Sequence, residues 1–153
     1  MEAYLDNSAT TQCSQAAADL MMRLLREDYG NPSSLHNRGM EAENYVKEAR
    51  KRIAQTLKVN EKEIYFTSGG SESNNLAIIG AVGAMHGARH VMCSAVEHPS
   101  VKESFEALRA MGHRVTFIPV DGAGQLDWAA LEQAIKDDPP SLISCKGQSP
   151  VPA

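Results

Sequence analysis

The sequence predicts an α/β protein built on a mostly parallel sheet with flanking helices. Three observations lead there. Short apolar runs of strand character, EIYFT, HVMCS, RVTFIPV and SLIS, alternate with stretches whose apolar residues recur at helical spacing. Such β-α-β-α-β-α-β alternation is the pattern of a parallel sheet with crossover helices. The 153 residues, 42% hydrophobic and 22% charged, suffice for one ordinary domain with a real core.

The elements follow in order. Ser14 to Arg26 reads as a helix, with Ala17, Leu20, Met21, Leu24 and Leu25 on one stripe. YGNPSSLHNRG then marks a loop through Gly30, Pro32 and Gly39. A longer helix is predicted from Arg38 to Leu57, with Ala42, Tyr45, Val46, Ala49, Ile53 and Leu57 on one face and a charged face opposite. EIYFT reads as the first strand. The next helix runs from Ser71 to His86, and Gly87 can supply its left-handed stop. HVMCS is a strand. His98 to Met111 is a helix with Val101, Phe105 and Leu108 facing inward, closed by Gly112. RVTFIPV is a strand, DGAGQ a turn, Leu126 to Lys136 a helix and SLIS a strand.

Composition excludes several classes. The formal net charge is −4 and no basic run stands out, which argues against a nucleic-acid partner. No apolar stretch approaches the roughly 20 residues of a membrane span, and MEAYLDNSATT lacks the pattern of a signal peptide. The expected location is cytoplasmic. Three cysteines without a CxxC pair suggest neither a disulfide framework nor a zinc site. Cys93, within a strand, is expected to be a buried and inert thiol.

Ligands of parallel sheets sit at the carboxyl ends of the strands. TSGGSES follows the EIYFT run and AVEHPS follows HVMCS, so both are expected on one edge of the sheet. Gly69 and Gly70 allow unusual backbone angles and close approach of a ligand. Ser71 stands where a helix begins and exposed amides suit an anion, phosphate above all. The stretch reads equally as a glycine turn with a serine N-cap and no ligand. It is neither a Walker A loop nor a G-x-G-x-x-G fingerprint. Glu72 in the first turn is expected to point away from any anion. His98, before Pro99, is either a surface helix cap or a ring that stacks on a ligand or moves protons.

YLDNSATT, YGNPSSLH, FTSGGSESNNLAI and VEHPSV, in that order, resemble the N-terminal part of the cysteine desulfurase family, from about Tyr4 to Ser144. These are class V aminotransferase relatives with the fold-type I architecture and a pyridoxal 5'-phosphate (PLP) cofactor. The resemblance implies a partial large domain of a fold-type I PLP-dependent transferase. Residues 1–37 would be an N-terminal segment and helix, 38–144 a partial PLP-binding α/β domain and 145–153 a divergent tail. It implies that Gly70 and Ser71 hold the cofactor phosphate, with Gly69 helping the turn, and that His98 stacks on the ring and assists proton transfer. Asn7, Ala9, Thr10 and Asn31 match positions near the substrate side or dimer interface, while DNSATT reads equally as a turn with hydroxyl–backbone bonds. The implied reaction removes sulfur from L-cysteine, leaving alanine and an enzyme persulfide for iron–sulfur cluster or thio-cofactor synthesis. A homodimer and a sulfur-acceptor or scaffold protein are the implied partners. A selenocysteine lyase, another class V aminotransferase and a non-catalytic phosphate binder are the alternatives.

The sequence also departs from the family. No lysine stands in the family's Ser-x-His-Lys context, and Cys13, Cys93 and Cys145 do not match its persulfide cysteine. The family's Asn-Asn-Glu-x-Gly would fall at Ser149, Pro150, Val151 and Ala153. A truncated or frameshifted gene, or a cut chain, is the expectation, as are inactivity alone and marginal stability or self-association. About four strands of the family's sheet are expected here.

Overall fold

The computed structural model describes residues 3–7 and 9–146. The positions 149, 150, 151 and 153 compared with the family motif lie outside the described residues. The chain forms two compact units, one within residues 1–65 and the other within 66–153.

The first unit is helical. Helix α1 spans Gln15–Arg26, and its N-cap Ser14 accepts a hydrogen bond from the Ala17 amide. Helix α2 spans Asn37–Leu57; His36 caps its start and Lys58, in the left-handed region, ends it. The loop between them is fixed by close backbone approach. A Cβ on Gly30 would overlap the Arg38 carbonyl, and one on Gly39 would overlap the Ser34 carbonyl and lie 2.8 Å from the Asn31 carbonyl oxygen. Asp28 ties the loop to both helices, accepting from the Tyr45 hydroxyl at 2.6 Å and from Arg23 Nε at 3.0 Å. The Tyr45 bond, opposed by desolvation and aided by Arg23 and Arg38, holds its carboxyl below the usual range. The apolar stripe of α1 is largely uncovered, with Leu20, Met21 and Leu25 exposed and no residue of the helix fully buried.

The expected EIYFT strand does not form. Glu61–Glu63 is a 3-10 turn, and Ile64 is extended but belongs to no ladder. A strand exists only through a neighbour, and no described strand offers this run one. Tyr65 and Phe66 remain 73% and 50% exposed. The sheet therefore has three strands rather than the four expected.

The second unit is a three-layer α/β/α arrangement. Helix α3 spans Gly70–Ala84, strand β1 His90–Ser94, helix α4 Pro99–Ala110, strand β2 Arg114–Ile118, helix α5 Trp128–Asp137 and strand β3 Leu142–Ser144. The strand order is β2-β1-β3, and both pairings are parallel, with Cys93 opposite Phe117 and Ser144. The chain leaves β1 in one direction and returns past it to β3. Right-handed crossovers then place α4 and α5 on opposite faces. Ile78 and Val82 of α3 and Val101, Phe105 and Leu108 of α4 pack on Val91 and Cys93. Met92, Ile118 and Leu131 form the core under α5. Every residue of β1 is buried, as the central strand of a doubly covered sheet requires. Gly87 and Gly112, with φ of 80° and 94°, follow α3 and α4 as the sequence predicts.

His90 anchors the amino end of the sheet. Its Nδ1–H donates to the Asp138 backbone oxygen at 2.8 Å, and its Nε2 takes the Thr116 hydroxyl at 2.8 Å. Burial first, and the Arg114 cation second, push its pKa down. The unfolded chain therefore binds a proton, between the lowered value and about 6.5, that the folded chain refuses. Stability is expected to fall as pH drops below about 6.5 and to be regained above it. Urea unfolding across that window should show a shallower pH slope in His90→Gln; an unchanged slope would place the proton uptake elsewhere.

Two glycines give opposite expectations. Gly39→Ala should cost about 1–3 kcal/mol, because the clash is with fixed backbone. Gly83→Ala, in α3 with open space around its missing Cβ, should gain about 0.5–1 kcal/mol. Urea midpoints that moved in the same direction would contradict this description of the loop.

Candidate functional site

The site forms where α3 and α4 begin. These helices lie side by side, and Asn74 Nδ2, one turn into α3, donates to Ser100 Oγ near the start of α4 at 2.8 Å. Lower down, Ser104 Oγ lies 3.2 Å from Asn75 Oδ1. TSGGSES and AVEHPS are thus brought together by helix packing, and not by a strand placing the first motif on the sheet edge.

The first turn of α3 differs in detail from expectation. Gly69 is the N-cap and makes no side-chain cap bond, so Ser71 is the second residue of the helix and not its cap. The frame starts early because Glu72 reaches back, accepting from the Ser68 amide at 2.6 Å and from the Ser68 hydroxyl at 2.7 Å. The Ser68 hydroxyl, then its amide, hold the Glu72 carboxyl below its usual range. Glu72 is thereby committed to Ser68, in keeping with its expected turn away from an anion. Thr67 Oγ1 lies 2.6 Å from Ser73 Oγ and closes the other side of the turn.

Neither glycine holds the unusual backbone angles the sequence suggested. Gly69 has φ of 167°, an extended value open to any residue, and Gly70 is helical. What they provide is room, for apart from their adjoining backbone no described atom lies within 4 Å of where a Cβ on either would stand. Ser71 is exposed beside them. A helix N-terminus with uncapped amides, open space and a hydroxyl fits a phosphate group.

His98 caps α4. Its Nδ1 accepts from the Ser100 amide at 3.2 Å and lies 2.8 Å from Ser100 Oγ. Pro99, which has no N–H to satisfy, occupies the first helical position. The ring is exposed, so its cap role leaves it open to a ligand. Glu97, just before it, accepts from Ser144 Oγ at the end of β3 at 3.2 Å, which pins the β1–α4 loop to the neighbouring strand. The Ser94 hydroxyl, buried at the end of β1, has no hydrogen-bond partner among the described residues.

Sequence reasoning named Gly70, Ser71 and His98 as candidates and did not name Asn74 and Ser100, which the structure places beside them. Ser100 was the more accessible of the two, since a hydroxyl two residues after an N-cap histidine falls within reach of its ring. The Glu97–Ser144 bond spans 47 residues and leaves no local signal.

In the first unit, the DNSATT segment is a hydrogen-bonded turn. Tyr4 and Thr10 hydroxyls lie 2.7 Å apart, Thr11 Oγ1 donates to the Asn7 carbonyl at 3.1 Å and the Ala9 amide to Asp6 at 3.1 Å. Asn31 Oδ1 takes the Ser33 amide at 2.9 Å. No group of metal-binding side chains occurs among the described residues. No described helix is long and apolar enough to cross a membrane.

A parallel sheet covered on both faces, with two adjacent helix starts presenting amides, hydroxyls and an imidazole, defines the class as a three-layer α/β protein. Residues 3–150 match the family described as aminotransferase class-V, and the chain belongs to that family. It is 43% identical over 145 residues to a NifS/IcsS protein homolog of Lactobacillus delbrueckii subsp. bulgaricus, covering 94% of this chain and 37% of that one. It is 41% identical over 138 residues to cysteine desulfurase IscS of Dictyoglomus turgidum, covering 90% and 35%. Among solved structures, a NifS-like protein superposes with a TM-score of 0.76 at 34% identity, covering 87% of this chain and 37% of that one. The chain thus spans a little over a third of the length of these relatives.

Cys93 is fully buried, while Cys13 and Cys145 are exposed. Burial, with Glu97 adding to it, pushes the Cys93 thiol up to about 12. Against a free thiol near 8.5, its thiolate at neutral pH is far scarcer, which leaves it a poor nucleophile. Alkylation followed by peptide mass spectrometry should label Cys13 and Cys145 first and Cys93 only on unfolding. Fast labelling of Cys93 in the folded chain would contradict its burial.

Proposed function

We propose that this chain corresponds to the N-terminal third of a PLP-dependent cysteine desulfurase and carries that enzyme's phosphate seat. The single observation behind the seat is the uncapped, open first turn of α3 beside His98. The similarity to relatives named cysteine desulfurase, and to a structure titled SspA in complex with cysteine at 34% identity and a TM-score of 0.72, supports L-cysteine as the substrate.

Gly70 and Ser71 would hold the phosphate through the α3 amides and the Ser71 hydroxyl, with the helix dipole favouring its charge. The His98 ring, carried on α4 next to that turn, would cover one face of the pyridine. When bound, the cofactor supplies an electron sink that the protein's own side chains lack. The overall reaction breaks the Cβ–S bond of cysteine, protonates Cβ to give alanine and forms an S–S bond on an enzyme thiol. Buried Cys93 is unsuited to be that thiol. No lysine of this chain stands in the family's covalent-lysine context, so the complete reaction requires residues that the longer relatives carry. The proposed setting is cytoplasmic, with a homodimer as the working assembly and a sulfur-acceptor protein as its partner in iron–sulfur cluster assembly.

Titration of the chain with PLP, followed by borohydride reduction and mass spectrometry, tests this reading. Saturable binding without an adduct at one specific lysine is expected. Ser71→Ala should weaken it roughly 10- to 100-fold, the worth of a hydrogen bond to a charged group. Absence of saturable binding would overturn the seat, and one uniquely reduced lysine would overturn the assignment of the covalent residue.

A further inference from the structure

Two bonds converge on one nitrogen of His98. The Ser100 backbone amide can only donate, and it points at Nδ1 at 3.2 Å. A nitrogen that accepts from an amide carries no proton, so this bond favours the neutral ring with its proton on Nε2, and the side-chain contacts at Nδ1 decide how firmly. Ser100 Oγ lies 2.8 Å from the same Nδ1, and with Nδ1 bare the hydroxyl is the donor there too. Its one proton being spent, Oγ must accept from its other neighbour, Asn74, whose Nδ2 lies 2.8 Å away and has protons to give. The polarity of the chain is therefore consistent from end to end: Asn74 donates to Ser100, and Ser100 donates to His98.

We propose that Asn74 and Ser100 are positioning residues that lock His98 in its Nε2–H tautomer, so that the resting ring presents a hydrogen-bond donor at Nε2. A proton on Nδ1 would oppose both the Ser100 amide and the Ser100 hydroxyl and would uncap α4. Acceptance at Nε2 would require the ring to surrender the proton already there. In this resting state His98 stacks on a ligand ring and keeps its donor at Nε2. That last consequence rests on the PLP reading above, whereas the ring state itself does not.

His90 provides an internal reference with the opposite setting. Its Nδ1 faces the Asp138 carbonyl, which can only accept, and its Nε2 faces the Thr116 hydroxyl, so His90 is the Nδ1–H tautomer.

The test is a long-range proton–nitrogen NMR correlation on the histidine-labelled chain without cofactor, at about pH 8.5, well above the ordinary histidine value of about 6.5. His98 is expected to show a bare Nδ1 and a protonated Nε2, and His90 the reverse. Asn74→Asp replaces the donor by an acceptor that claims the Ser100 proton. It should shift His98 toward the Nδ1–H pattern while His90 keeps its own, which certifies the fold. Ser100→Ala should leave only the longer amide bond and give an exchange-averaged His98 signal. A wild-type His98 protonated on Nδ1, or a His98 pattern indifferent to both substitutions beside an intact His90 signal, would overturn the proposal. Since no cofactor is added, this failure is distinguishable from a failure of PLP binding.

Discussion

The packing of α3 against α4 is the constraint on which the candidate site depends. Each helix start by itself is an ordinary feature: one glycine-rich turn, one histidine cap. Ile78 and Val82 share a core with Val101 and Phe105 and bring the two starts to one place. Burying a side chain such as Phe105 contributes on the order of 1.5–3 kcal/mol, whereas the Asn74–Ser100 bond adds nearer 1 kcal/mol net. Apolar burial therefore holds the helices together, and the polar bond sets their register and the orientation of the ring.

The sheet supports this arrangement from beneath. β1 is central, fully buried and parallel to both neighbours. Its carboxyl end delivers the chain into the Ala95–Glu97 loop, and Ser144 on β3 fixes Glu97 there. His98 is thus oriented from three sides: by α4 through the cap, by α3 through Asn74 and by the sheet through Glu97. Such support from secondary structure is what keeps a binding ring in one pose.

What the sequence made legible was local. Helix starts at Ser14 and His98, stops at Gly87 and Gly112, the DGAGQ turn and the inward face of α4 all follow from neighbours a few residues apart. EIYFT failed as a strand because β character in a run does not supply the neighbour that a ladder needs. Ser71 failed as an N-cap because Glu72 reaches back to Ser68 and starts the helix earlier. Asn74 and Ser100 are 26 residues apart, and only the tertiary packing shows that they meet. Gly70, Ser71 and His98 were named through resemblance, and the structure brings their two segments together.

The proposed anion seat is the first turn of α3 beside His98. The most direct measurement is an amide NMR titration of the chain with PLP, run beside pyridoxal, which lacks the phosphate. Saturable shifts are expected at the Gly70, Ser71 and Glu72 amides and at the His98 ring with the phosphorylated compound, and much weaker ones without it. Shifts scattered over surface lysines, or equal responses to both compounds, would contradict it.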